Sequence, residues 1–182
     1  MQVITGKYRG RHLKSPDSAR PTLQRVKISL FSMLGEYITS EQRVLDLFAG
    51  SGALGIEMLS REAGFVVFVD QDKKATKCIL DNLRNIDKKQ YKIINADHLS
   101  AMKMLRGEKP FDVVFLDPPY ASNAAVSCVE ILDRYDLIAD NGVVVIETET
   151  GGAVPTIKGF ELKKDRSYGT ARIFIFEKLE NE

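Results

Sequence analysis

Val44-Leu45-Asp46-Leu47-Phe48-Ala49-Gly50-Ser51-Gly52-Ala53-Leu54-Gly55 is the stretch on which the reading of this chain turns. Val44 to Phe48 is a short apolar run of the kind a buried strand makes. Gly50-Ser51-Gly52 is a turn, and residues 53–62 place Leu54, Met58 and Leu59 on one helical face. Glycines at 50 and 52 let the backbone bend sharply and come close to a ligand. Gly55 lets the helix lie near the strand, and the helix start offers unbonded N–H groups. Strand, tight turn and helix form the opening unit of an α/β sheet, and the unit recurs downstream. Phe65–Asp70 reads as a second strand, followed by a helix capped by Asp72 and carrying Ala75, Ile79 and Leu83. Tyr91–Ala96 is a third strand before a helix over His98–Arg106. Phe111–Asp117 is a fourth, halted by Pro118-Pro119 and followed by a helix over Ala124–Tyr135. Gly142–Glu147 is a fifth. Residues 160–166 and 171–178 are two strands around Tyr168-Gly169-Thr170 with no helix between them. The alternation predicts a mostly parallel sheet with helices on both faces, and the hairpin end predicts an antiparallel last strand. In such a sheet ligands bind at the carboxyl ends of the strands.

The N-terminal part has a different texture. Residues 2–14 alternate loosely around Gly6 and Gly10, as a hairpin does. A helical pattern then opens at Pro21 and carries Val26, Leu30, Phe31, Met33, Leu34 and Ile38. This divides the chain into a hairpin-and-helix appendage over 1–42 and a sheet domain over 43–182. Net charge is +1, but residues 1–27 carry +6 and the other 155 residues carry −5. A basic arm on a mildly acidic body suits a phosphate-rich partner, or a solvated tail. The N-terminus has no signal-peptide core and no apolar run long enough to span a membrane, which points to the cytosol. Cys78 and Cys128 read as free thiols. His12 and His98 stand alone, so no metal site is expected, and there is no serine elbow.

Gly50, Gly52 and Gly55 also satisfy the dinucleotide pattern, with Asp70 at the expected distance. A nicotinamide enzyme is therefore open on that motif alone. Asp46 argues against it, because a carboxylate beside the loop repels a pyrophosphate but suits an ammonium group. S-adenosylmethionine offers an ammonium and a sulfonium and no phosphate. Asp70 can accept from both ribose hydroxyls. Asp97 either accepts from the adenine amine or simply caps the next helix. The expected cofactor set is Asp46, Phe48, Ala49, Gly50, Ser51, Gly52 and Leu54 of the loop, Asp70 and Gln71 after the second strand, and Ala96 and Asp97 after the third.

Asp117-Pro118-Pro119-Tyr120 follows the fourth strand, where an active-site loop belongs. The prolines fix the backbone and leave carbonyls without neighbouring donors. An exocyclic base amine is a poor nucleophile, because its lone pair is delocalised into the ring. Two acceptors, the Asp117 carboxylate and the Pro118 carbonyl, can hold its two N–H groups and turn the lone pair toward an electrophilic methyl. Tyr120 can stack on the base. The four residues are the expected catalytic set, and their chemistry fits guanine and adenine equally.

The two strings resemble those of class I amino-methyltransferases of nucleic acids, and the arm narrows the likeness. Val3-Ile4-Thr5-Gly6-Lys7-Tyr8-Arg9-Gly10-Arg11-His12-Leu13-Lys14, then Arg20-Pro21-Thr22 with Arg25-Val26-Lys27, resemble the opening of the RsmD family, bacterial 16S ribosomal RNA guanine-N2 methyltransferases. The resemblance runs over essentially the whole chain. It implies a Rossmann-like seven-stranded sheet, a guanine N2 target in the small ribosomal subunit and action on a partly or fully assembled particle; S-adenosylmethionine is the expected cofactor and a monomer the expected state. It also implies that Arg20, Thr22 and Arg25, with Arg9 of the arm, place the RNA. Asp70 stands where a longer glutamate is common in the family, and Gln24 where an acid is usual. Amino-methylation of adenine or cytosine in DNA uses the same acceptor loop, but normally with an added recognition domain for which 182 residues leave no room. A non-catalytic RNA-binding protein of this fold is the other reading. A substrate recognised by its folded shape fits a small enzyme best, provided the base is flipped or exposed.

Overall fold

A computed structural model describes residues 1–16, 24–118, 122–151 and 153–180. The sheet has seven strands: β1 (Arg43–Asp46), β2 (Phe65–Asp70), β3 (Tyr91–Asn95), β4 (Phe111–Leu116), β5 (Ile138–Glu149), β6 (Phe160–Tyr168) and β7 (Ala171–Lys178). Their order is β3-β2-β1-β4-β5-β7-β6. All pairings from β3 across to β5 are parallel. β7 runs antiparallel between β5 and β6. This is the Rossmann-like class I architecture, with the expected antiparallel last strand. Chain order reverses between β1 and β4, so their carboxyl ends flank the topological switch point.

Strand alternation builds two cores. Val44, Val66, Phe68, Val113 and Phe115 face α1 (Gln24–Leu34), α2 (Ala53–Ser60) and α3 (Lys73–Asn82). Leu45, Val67, Val69, Val114 and Leu116 face α4 (His98–Leu105) and α5 (Ser122–Arg134). Neighbouring residues on each strand thus take opposite faces. Gly55 shows why the glycine loop can lie so close to the sheet. A Cβ there would stand 2.3 Å from the Phe68 ring and 2.9 Å from Val66 Cγ1.

The N-terminal residues join the first core through Val3, Leu13, Val26, Leu30, Phe31 and Leu34. Their hairpin is slight: a single bridge between Gln2 and His12, flanked by bonds from the Val3 N–H to Arg11 O and from the Leu13 N–H to Met1 O. The first helix is shorter than its apolar periodicity suggests. It ends at Leu34 and tightens into a 3₁₀ turn over Gly35–Tyr37. Its start at Pro21 lies outside the described residues. β5 begins earlier than expected, at Ile138. Its pairing with β4 skips from Ile138 to Val143, because the polar Asp140-Asn141 step bulges out with Asn141 at φ 59°.

Candidate active site at the carboxyl ends of the strands

Three acids end three adjacent strands: Asp46 on β1, Asp70 on β2 and Asp117 just after β4. The glycine loop sits among them. Gly52, at φ 75°, precedes α2 and turns the chain into it. The Gly52 N–H donates to Ala49 O at 2.7 Å, and the Ala49 N–H to Val69 O at 2.9 Å. Asp70 braces this loop from the side. Its Oδ2 accepts from the Gly50 N–H at 2.8 Å and its Oδ1 from the Asp72 N–H at 2.8 Å. A ribose diol would therefore meet a carboxylate already fixed in place by two backbone donors.

Asp46 is 3% exposed. Its Oδ2 accepts from the Gly55 N–H at 3.1 Å, and among the described residues its Oδ1 makes no hydrogen bond. Burial pushes its carboxyl up to about 7, against the Gly55 bond, with the charges of Asp117 and Asp70 adding to the rise. A buried acid next to two other acids is costly to ionise unless a cation joins it. The group this site fits is therefore one bearing a positive charge.

A consequence for stability follows. The folded Asp46 keeps its proton up to about pH 7, whereas the unfolded chain releases it near 3.8. Between those values the native state binds more protons, so stability falls as pH rises through the window and is flat above it. The shift of about three units corresponds to up to roughly 4 kcal/mol. Urea midpoints of the ligand-free protein at pH 5 and pH 8 should show the part of this loss that lies above pH 5, roughly 3 kcal/mol, and Asp46→Asn should abolish most of it. An equal pH dependence in wild type and variant would assign the effect elsewhere.

The remaining expected cofactor residues lie just after β1, β2 and β3 or in α2. Ala96 N donates to Asp70 O at 3.2 Å. Asn95 Nδ2 spans Asp70 O and Gln71 O at 3.0 and 3.1 Å. Phe48 packs on the His98 ring at 5.3 Å between centroids. Leu54 is buried in α2 and Ser51 is half-buried in the loop. Asp97 is the N-cap of α4: it accepts from Ser100 N at 3.0 Å and Ser100 Oγ at 2.6 Å, and these bonds hold its carboxyl below the usual range. The capping role is thus visible, and any adenine contact would come on top of it.

Asp117 is exposed at the end of β4 and Pro118 is half-buried. Pro119 and Tyr120 lie outside the described residues, as do Arg20 and Thr22. Arg9 is exposed on the hairpin turn. Arg25 is exposed on α1, with its guanidinium beside Gly169 in the β6–β7 turn. Arg166 donates to the neighbouring Asp165 carbonyl, and Tyr168 packs on the first core.

The basic arm is less available than its composition suggests. Lys27 is fully buried, paired with Glu57 at 3.1 Å and donating to Gln2 O at 2.8 Å. Arg11 is spent on the Asn82 and Arg84 carbonyls. Asn82 itself has no place among the expected residues. It is 6% exposed. Its amide accepts from Lys14 N and donates to Lys14 O and Ser51 O, each at 2.9 Å, tying the arm to the glycine loop. The available signal is a polar residue on the apolar stripe of α3, beside Ala75 and Ile79. Among the described residues no cluster of His, Cys, Asp and Glu could hold a metal ion, and no helix is long and apolar enough to cross a membrane.

The family model described as conserved hypothetical protein 95 matches residues 1–177. Ribosomal RNA small subunit methyltransferase D of Haemophilus influenzae is 34% identical over 181 residues, covering 97% of this chain and 93% of that protein. The Escherichia coli protein of the same name is 30% identical over 181 residues, covering 98% and 90%. The solved structure of yhhF from Escherichia coli superposes with a TM-score of 0.87 at 29% identity, covering 98% of both chains.

Proposed function

The chain belongs to the family of conserved hypothetical protein 95, the RsmD family, and on that footing we propose that it methylates the exocyclic N2 amine of a guanine in small-subunit ribosomal RNA, with S-adenosylmethionine as cofactor. One observation carries the cofactor reading. The buried Asp46 carboxylate lies at the glycine loop, at the β1–β4 switch point, where an ionised acid needs a cationic partner. The relatives of known name are ribosomal RNA methyltransferases, and they support the RNA as substrate.

When bound, S-adenosylmethionine supplies a methyl group on a positively charged sulfur. Asp46 would hold its ammonium, and Asp70, already braced by Gly50 and Asp72, its ribose. Asp117 and the Pro118 carbonyl would accept the two N–H groups of the guanine amine. That geometry turns the nitrogen lone pair into the pocket, and the Asp117 charge favours the positive charge that grows on nitrogen. Tyr120 would stack on the base. Arg9, Arg20, Thr22 and Arg25 would position the flanking RNA. We place the protein in this role as a monomer, with residues 1–42 as its RNA-facing appendage.

The test is methyl transfer from radiolabelled S-adenosylmethionine to small ribosomal subunits that lack the modification, with naked ribosomal RNA and duplex DNA alongside. The expected product after digestion is N2-methylguanosine, from subunits or ribosomal RNA and not from DNA. Label found only in DNA, as N6-methyladenine or N4-methylcytosine, would keep the amine chemistry and overturn the substrate. Bound cofactor with no label in any nucleic acid would overturn the enzymatic reading.

A further inference from the structure

Docking of the arm brings together two basic segments that are far apart in sequence. Residues 73–92 hold seven Lys and Arg side chains against two carboxylates; Lys73, Lys74 and Lys77 are on α3, and the arm lies directly on that helix. Arg11 Nη1 donates to the Asn82 and Arg84 carbonyls at 3.2 and 2.9 Å. The Lys14 backbone exchanges two 2.9 Å bonds with the Asn82 amide. Between residues 14–16 and the outer face of α3 opens a cleft of about 270 Å³, with Lys74, Lys77 and Asp81 on the helix side.

The charge in this cleft is unbalanced. Lys14 is 69% exposed and reaches Asp81 only at 3.8 Å, while Asp81 is already bonded to Arg84 at 3.1 Å. Among the described residues neither Lys74 nor Lys77 has an ion-pair partner, and both are exposed. The cleft also adjoins the glycine loop, because Asn82 Nδ2 bonds Ser51 O as well as Lys14 O. The strand ends themselves present the carboxylates of Asp70 and Asp117, which repel phosphate. A polyanion approaching this site therefore has a repulsive centre and an attractive flank, and a backbone lying on that flank can still send one neutral base into the centre.

We infer that the arm–α3 cleft seats a phosphate of the RNA backbone next to the target nucleotide, held by Lys14, Lys74 and Lys77. The inference rests on the RNA reading above and adds α3 to the surface that meets substrate. Docking of the arm, in this arrangement, completes the seat, since residues 14–16 form one wall.

Binding of the full-length protein to a 16S ribosomal RNA transcript, measured between 50 and 200 mM salt, tests it. Each phosphate contact contributes roughly 0.7 to 0.9 to the slope of log affinity against log salt. Lys74→Ala/Lys77→Ala should lower the slope by about 0.7 to 0.9, the share of the one phosphate seated there, with cofactor affinity unchanged. Lys109→Ala/Lys158→Ala removes the same net charge from exposed sites elsewhere and should leave the slope intact. An unaltered slope in the Lys74/Lys77 variant, or the same drop in the control, overturns the inference while a transcript or subunit still methylated by wild type leaves the RNA reading standing. Wild-type protein that neither methylates RNA nor binds it in a salt-dependent way overturns both.

Discussion

Asp117→Asn is expected to lower kcat by a factor on the order of 10² to 10³, with cofactor affinity retained. The size follows from removing one fixed charge and one acceptor from the reacting nitrogen, a loss comparable to deleting a single donor of an oxyanion hole, roughly 3–4 kcal/mol. Asparagine keeps the shape but exchanges an acceptor oxygen for a donor, so it opposes one N–H of the amine that the aspartate would accept. Retained affinity has its own reason. Asp117 is exposed at the end of β4, and its charge is one of the two that raise the buried Asp46 carboxyl. Without that charge Asp46 ionises more easily, and an ammonium is held at least as well. Substrate KM should move less than kcat, since the bonds to the amine strengthen as nitrogen becomes positive. Isothermal titration with S-adenosylmethionine and single-turnover methyl transfer separate the two quantities. Loss of cofactor binding with the chemical step intact would move Asp117 from the reacting base to the cofactor.

The parallel strands were readable because their signals are local. Phe65–Val69 is an unbroken apolar run after a glycine, closed by Asp70 just before a helix cap, and the structure gives the strand over Phe65–Asp70 the same ends. Asp72 was readable for the same reason, since its side chain accepts from the Lys74 N–H two residues on. Where burial depends on distant partners, the sequence misleads. Lys27 looks like one more cation of a solvated arm. It is enclosed because Glu57, thirty residues away, faces it from α2. Asn141 breaks the pattern of β5, so only its apolar second half is recognisable, whereas Ile138 already pairs with Phe111. Asp70 could be placed at the strand end from sequence. Its hold on Gly50 could not, because that bond exists only once β1 and β2 are side by side. The α3 lysines read as the polar face of an amphipathic helix, and acquire a second meaning only when the arm is laid against them.

Glu57→Ala is expected to cost about 3–5 kcal/mol of stability and to release the arm. The Glu57 carboxylate is fully buried and serves four donors. Oε2 accepts from the Ile4 N–H at 2.8 Å and pairs with Lys27 Nζ at 3.1 Å. Oε1 accepts from the Thr5 N–H and Arg61 Nε, both at 3.1 Å. Truncation to alanine leaves two backbone N–H groups unmet and strands a buried ammonium on the Gln2 carbonyl alone. Burial already lowers the Lys27 pKa, with Glu57 the charge that opposes the fall, so the stranded lysine should lose its proton rather than stay charged. Lys27→Met should cost less, because Glu57 then keeps Arg61 and both N–H groups. The double variant Lys27→Met/Glu57→Leu should be more stable than Glu57→Ala, since no buried lysine is left without its carboxylate, yet should not regain wild-type stability with Arg61 unpaired and the Ile4 and Thr5 donors still orphaned. Urea unfolding ranks the three variants, and limited proteolysis reports whether residues 1–14 have come loose. A ranking with Lys27→Met as the most damaging would mean that the lysine, not the carboxylate, organises the joint. The ranking also bears on RNA engagement: if Glu57 fixes the arm, its truncation should weaken binding to the transcript through the same loss of salt slope as removal of the α3 lysines, although Glu57 lies too deep to touch a phosphate.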